Sequence, residues 1–165
     1  MNRRLFLSAV PIALLAGCGF QLRRLDGIPF ATLYVDGPAD STVTQRVIAL
    51  IKAAKSAKLT ATAAEADAIL KLNRETLKKS ILSLSGAGRV TEYRLSLDMS
   101  YTLTDKSGRA LAVAESLELS RDMTYDDSQL LAKSAEESLL YRDMEDNAAR
   151  RIIRRLQAVK PGSES

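Results

Sequence analysis

Cys18 is the single cysteine of the 165-residue chain, and the residues before it make it the place where covalent chemistry is expected. Leu15-Ala16-Gly17-Cys18 reads as a lipobox. In such a motif the thiol is diacylated, the peptide bond before it is cut, and the freed amine is acylated in turn. Upstream, Arg3-Arg4 precede a short apolar run from Leu5 to Leu15, broken only by Ser8 and Pro11. That run fits the roughly 7–15 residues of an export signal and falls far short of the ~20 that span a bilayer. The expectation is a signal peptide over 1–17 and a lipidated Cys18. Each buried methylene contributes about 0.8 kcal/mol, so two or more acyl chains give stable anchoring where one does not. Gly19 rather than an aspartate after the cysteine predicts sorting to the outer membrane, on its periplasmic side.

The remaining residue types narrow the chemistry further. The chain has no histidine and no tryptophan, and lipid would consume its thiol. Disulfides, Cys/His metal sites and histidine-based catalysis are therefore excluded. Neither G-x-S-x-G nor S-x-x-K occurs. Gly86-Ala87-Gly88 suits a hairpin turn better than a phosphate loop, because no helix follows it. Asp126-Asp127 suit a helix start, and Asp143, Glu145 and Asp146 a solvated helix face. Without residues 1–17 the chain carries 22 basic and 20 acidic side chains, too balanced and too poor in aromatics for nucleic acid. No enzyme, metal or cofactor is expected.

The elements follow from periodicity. Residues 18–31, with Gly19, Gly27 and Pro29, read as a lipidated tether. A single domain is expected over 32–157, with a flexible tail at 158–165. Thr32 to Val35 has strand composition, and Thr42 with Gln45 fits a capping box opening a helix to about Ala57. A strand follows from Ala68, with Leu70 and Leu72 on one face, and continues through a bulge to Leu84. Ser85 to Gly88 turn the chain. Tyr93, Leu95, Leu97, Met99, Tyr101 and Leu103 then alternate with Arg94, Ser96, Asp98, Ser100 and Thr102. Such alternation marks a strand covered on one face and polar on the other. After a turn at Asp105 to Gly108, the return strand shows Leu111, Val113, Leu117 and Leu119. Asp127 or Ser128 caps a long helix to about Gln157, with Leu131, Ala135, Tyr141, Met144, Ala148, Ile152 and Leu156 along one stripe. Acids crowd its first half, and Arg150, Arg151, Arg154 and Arg155 its end, which complements the helix macrodipole. The fold class is α+β: strand, helix, three strands, helix, with both helices on one face of a four-stranded mixed sheet.

Cys18-Gly19-Phe20-Gln21-Leu22-Arg23 resembles the mature start of the lipopolysaccharide-assembly lipoprotein LptE family. Thr91-Glu92-Tyr93-Arg94-Leu95 is similar to that family's central strand. Leu131-Ala132-Lys133, Tyr141-Arg142-Asp143-Met144 and Ala148-Ala149-Arg150-Arg151-Ile152 are similar to its last helix. The resemblance implies two helices on a four-stranded sheet, forming a plug inside the LptD outer-membrane β-barrel that helps assemble it and assists lipopolysaccharide delivery to the outer leaflet. It also implies a lipopolysaccharide contact at Lys133. The family's second basic position falls among Ser85, Gly86 and Ala87, which are not basic, with Arg89 close by. The barrel would meet Arg94, Ser96, Ser100 and Ala87. The alternative is another outer-membrane lipoprotein, acting as a pilot or assembly module for a different envelope complex.

Overall fold

The computed structural model describes residues 27–159. Cys18, the tether up to Asp26 and the tail from Lys160 lie outside the described residues. Eight elements follow in order: β1 (Thr32–Asp36), α1 (Thr42–Ala54), β2 (Lys58–Leu59), β3 (Ala68–Leu72), β4 (Thr76–Leu84), β5 (Val90–Thr104), β6 (Ala110–Thr124) and α2 (Leu130–Ala158). β1 pairs in parallel with β2 and β3, as a crossover through α1 requires. β5 pairs antiparallel with β3 and β4 on one edge and with β6 on the other. Both helices lie on one face of this mixed sheet. Leu33, Leu70, Leu95 and Leu97 from the sheet meet Val43, Val47 and Ile51 of α1 and Met144, Ile152 and Leu156 of α2 in one core. Ile28 and Phe30 join that core, so packing begins ahead of β1.

The sheet has six strands rather than four. β2 is a two-residue pairing at the edge of β1, too short to leave a periodic signal. The stretch from Ala68 to Leu84 is two strands, β3 and β4, divided by a bulge. Leu72 lies opposite Tyr101 and Thr76 opposite Asp98, so four steps on one strand match three on the other. The extra residue bends the chain and re-aims its neighbours. Arg74 reaches Asp40 with two bonds of 3.0 and 2.8 Å, and Glu75 accepts from the Ser41 hydroxyl at 2.5 Å. Ser41, not Thr42, is the cap of α1, accepting from the Thr44 amide at 3.0 Å. The bulge therefore clamps the start of α1. Gly37 fits under this junction only because it lacks a Cβ, which would stand 2.8 Å from Thr44 Oγ1.

Three expected apolar positions face outward instead. Between β5 and β6 the register shifts after Tyr101–Glu115 to Leu103–Ala112, which turns Val113 into solvent at 72% exposure. In α2, Leu131 is 87% exposed and Ala135 is exposed as well. At ~100° per residue, stepping back from Met144 brings Tyr141, Glu137 and Lys133 to the core side and Ala135 to the opposite one. The buried stripe of α2 thus starts at Met144, with charged and aromatic groups ahead of it. The helix is preceded by a 3-10 turn at Asp127–Gln129, and the side-chain cap there is Asp126, accepting from the Ser128 amide.

Candidate functional site

Two surfaces carry the expected functional residues. The first is the open face of the sheet, formed by the even-numbered side chains of β5, since strand alternation sends the odd ones into the core. Arg94 donates to Asp122 of β6 through two bonds of 2.8 and 2.9 Å. Lys78 of β4 donates to Asp98 at 2.8 Å. Ser100 accepts from the Asn73 side chain at 2.7 Å, and Ser96 sits opposite Lys78 and Ser120. Arg94 and Lys78 are held in their charged forms by hydrogen bonds to these carboxylates, which raise their pKa values. Asp122 is correspondingly lowered. The face holds two ion pairs and several hydroxyls, with Glu118 opposite Asp98 and Lys71 opposite Thr102 carrying no ion pair among the described residues, and it suits a hydrated polar partner.

The second surface is the end of the molecule where the β4–β5 hairpin and the start of α2 meet. Gly88 takes φ +75 in the turn, which a side chain would resist. The Ser85 amide donates to the Arg89 carbonyl at 2.7 Å, and the Arg89 amide to the Ser85 hydroxyl at 3.1 Å. Ala87 and the Arg89 side chain are exposed at the tip. Lys133 comes to the same end because its ammonium donates to Thr124, and Thr124 lies opposite Glu92. Lys133 is well covered, however, with its side chain 14% exposed and its ammonium 2.9 Å from Glu136. Asp126 and Asp127 also stand here, so the two cations are mixed with acids rather than forming an isolated basic cluster.

Behind this end lies a constellation that sequence spacing did not reveal. Lys79 sits 4.2 Å from the ring centre of Tyr93 and 2.6 Å from Glu137, while Tyr93 meets Tyr125 edge-on at 5.0 Å. Tyr141 donates to the Lys78 carbonyl at 3.0 Å. Together these fix the first half of α2 against β4 and β5, and thereby place Lys133. Lys79 and Glu137 are far apart in the chain, and only the parity of β4, reset by the bulge, joins them. Tyr93 within Thr91-Glu92-Tyr93 was the one legible signal.

The family model for lipopolysaccharide assembly, LptE, matches residues 30–156. The chain belongs to the LptE family. Solved structures agree. The chain is similar to the uncharacterized lipoprotein B of Nitrosomonas europaea at 35% identity and TM-score 0.75, covering 85% of this chain and 91% of that one. It is also similar to the rare lipoprotein B of Shewanella oneidensis at 27% identity and TM-score 0.67, covering 76% and 92%. A minor lipoprotein of Acinetobacter baumannii, at 22% identity and TM-score 0.63 over 78% and 91%, shares the fold. No curated protein sequence matches. LptE membership makes this a lipoprotein of lipopolysaccharide assembly, and it accounts for the order of elements found here.

Proposed function

We propose that this LptE-family protein is anchored by an acylated Cys18 to the periplasmic side of the outer membrane. There it plugs an LptD-type β-barrel, helps it assemble, and assists passage of lipopolysaccharide to the outer leaflet without itself being an enzyme. The observation that carries this reading is the open sheet face. Arg94, Ser96, Asp98, Ser100 and Thr102 line one continuous polar surface on which Arg94 and Asp98 are ion-paired. Barrel interiors are polar and hydrated, and a polar, partly ion-paired face suits one. Arg89 at the hairpin tip and Lys133 beside it supply cations for lipid phosphate, Lys133 by exchanging Glu136 for the ligand.

Photo-crosslinkers at Ser96, Ser100 and Ala87, followed by purification from detergent-solubilised envelope, test the partner. The expected product is a covalent adduct with a barrel of LptD size. Adducts with a secretin, or none at these positions, would sink the plug. Intact mass should show a triacylated Cys18 N-terminus. Lipopolysaccharide affinity of the Lys133→Ala/Arg89→Ala variant should fall at least tenfold at fixed ionic strength, since each charge-assisted bond contributes about 1.5–3 kcal/mol. Unchanged affinity with an intact fold rules those two residues out.

A further inference from the structure

Exposed apolar surface is unevenly spread over the described fold. Nine large apolar side chains are exposed there, and seven of them lie on β4 or in the first ten residues of α2. Leu131 and Leu139 point away from the sheet, as the angular phase of α2 requires. Most of the others share the side of the sheet on which the helices pack. Leu77 lies opposite Leu97 and Ile81 opposite Tyr93, so alternation puts both on the core side of β4. They are nevertheless 42% and 58% exposed. Leu84 follows Ser83, which pairs with Glu92 of the open face, and so returns to the same side, again exposed.

The cause is a gap in the helix layer. α2 packs over β5 and β6, and α1 packs beside its second half, where Arg46 meets Glu145 and Asp146. α1 starts at its Ser41 cap, clamped by the bulge ahead of β4. Among the described residues no helix lies over β4, and its side chains are exposed almost throughout. What remains is a shelf about 20 Å long from Leu77 to Leu84, at the usual rise of a strand. Its inner wall is the first half of α2. Leu130 stands there on the same helix face as Glu137 and Tyr141, both of which reach β4. Lys79, the one charge in the row, is drawn over the Tyr93 ring to Glu137 and leaves no unpaired cation between Leu77 and Ile81. An apolar edge strand left uncovered is an aggregation liability, and a contiguous exposed apolar row marks a binding surface.

Cations stand at the outer end of this shelf. Arg89 adjoins Val90, which lies opposite Leu84, and Lys133 is one helical turn beyond Leu130. An apolar row closed by two cations is complementary to an amphipathic anion. We propose that the shelf between β4 and the first half of α2 seats a fatty acyl chain of lipopolysaccharide, whose phosphates meet Arg89 and Lys133. This rests on the lipopolysaccharide contact of the reading above and adds the apolar half of the ligand. The shelf is on the opposite side of the sheet from Arg94, Ser96 and Ser100, so a barrel wall against that face leaves it open to the lumen. A bare acyl chain is disfavoured in a hydrated lumen, and the shelf removes one side of it from water. A phospholipid chain, or a barrel strand added along the free edge of β4, is the competing occupant.

The test uses the full acylated protein in the intact envelope. A photoreactive residue replaces Ile81, Leu84 or Leu130 in turn, with Leu50 and Val113 as exposed apolar controls. The first three positions should give adducts that react with antibody to lipopolysaccharide. Mass fragmentation of the adduct peptides should place the link on an acyl chain rather than on sugar. In purified full-length protein, Ile81→Ser/Leu84→Ser/Leu130→Ser should lower lipopolysaccharide affinity at least tenfold. The thermal melt, and the weaker binding of deacylated lipopolysaccharide, should stay unchanged. If the triple variant does not fold, the crosslinks decide. Adducts with phospholipid or with the barrel in place of lipopolysaccharide, or equal yields at Leu50 and Val113, overturn the proposal. Unchanged affinity of the folded triple variant overturns the shelf and leaves the Arg89 and Lys133 contacts standing, whereas a parent protein that binds no lipopolysaccharide removes both.

Discussion

Glu145 is a buried carboxylate at the contact between the two helices, and its surroundings set a sign for pH dependence. Arg46 approaches it to 4.0 Å but binds Asp146 more closely, and Glu75 of the bulge adds a like charge. Burial is the largest influence and raises its pKa above the ordinary glutamate range, with Arg46 acting against it. A raised carboxyl favours the folded state in its protonated form. Its contribution is full below the unfolded value, about 4.3, and is lost as pH rises through the higher folded one. Glu145→Gln should therefore gain stability relative to the parent as pH increases through that window. Denaturant melts of both proteins across the range check it, and a constant difference would show that the carboxyl titrates normally. Asp105 has the opposite sign. Hydrogen bonds led by Ser107 hold it at about 2, so its turn is supported above the ordinary aspartate range and loosens only as pH falls through that value.

At the scale of elements, the β3–β4 bulge and the two unlike halves of α2 do most to shape the molecule. Glu75 accepts from the Ser41 hydroxyl and lies 3.5 Å from the Val43 amide, so it completes the N-terminal cap of α1 from the bulge between β3 and β4. Glu75→Ala should cost about 1–2 kcal/mol, the range for a lost cap, in chemical denaturation. Leaving stability unchanged would show that water replaces the carboxylate. In α2 the second half buries Met144, Ala148, Ala149, Ile152 and Leu156, whereas the first half is held by Lys79, Tyr93, Tyr141 and Glu137 at the surface. Few buried apolar contacts mean easy local opening. Amide exchange should be markedly faster over 134–141 than over 148–156. Equal protection along the helix would mean that the polar clamp holds as firmly as the core.

Across the whole molecule one continuous core joins both helices to the sheet, so unfolding should be a single event. Ile152→Ala removes a side chain with no exposed surface and should cost about 2–5 kcal/mol, shifting helix ellipticity and tyrosine fluorescence together. Separate transitions would divide the core into two units. At this scale the contributions of sequence and structure also separate. The period-two run from Tyr93 to Leu103, the crossover from β1 through α1 to a parallel β3, the polar face at Arg94 to Thr102 and the presence of a bulge between Ala68 and Leu84, though not its place, were legible in the sequence. Each depends on side-chain alternation or on neighbours along the chain, which local chemistry dictates. The tertiary structure decided what depends on phase and distance. A one-residue register shift between β5 and β6 turned Val113 outward, and the changed parity of β4 beyond the bulge joined Lys79 to Glu137. The angular phase of α2 put Leu131 in solvent and Lys133 beneath Thr124 and Glu136. Hydrophobic pattern specifies which face is buried, but only the packed sheet fixes which distant charges meet.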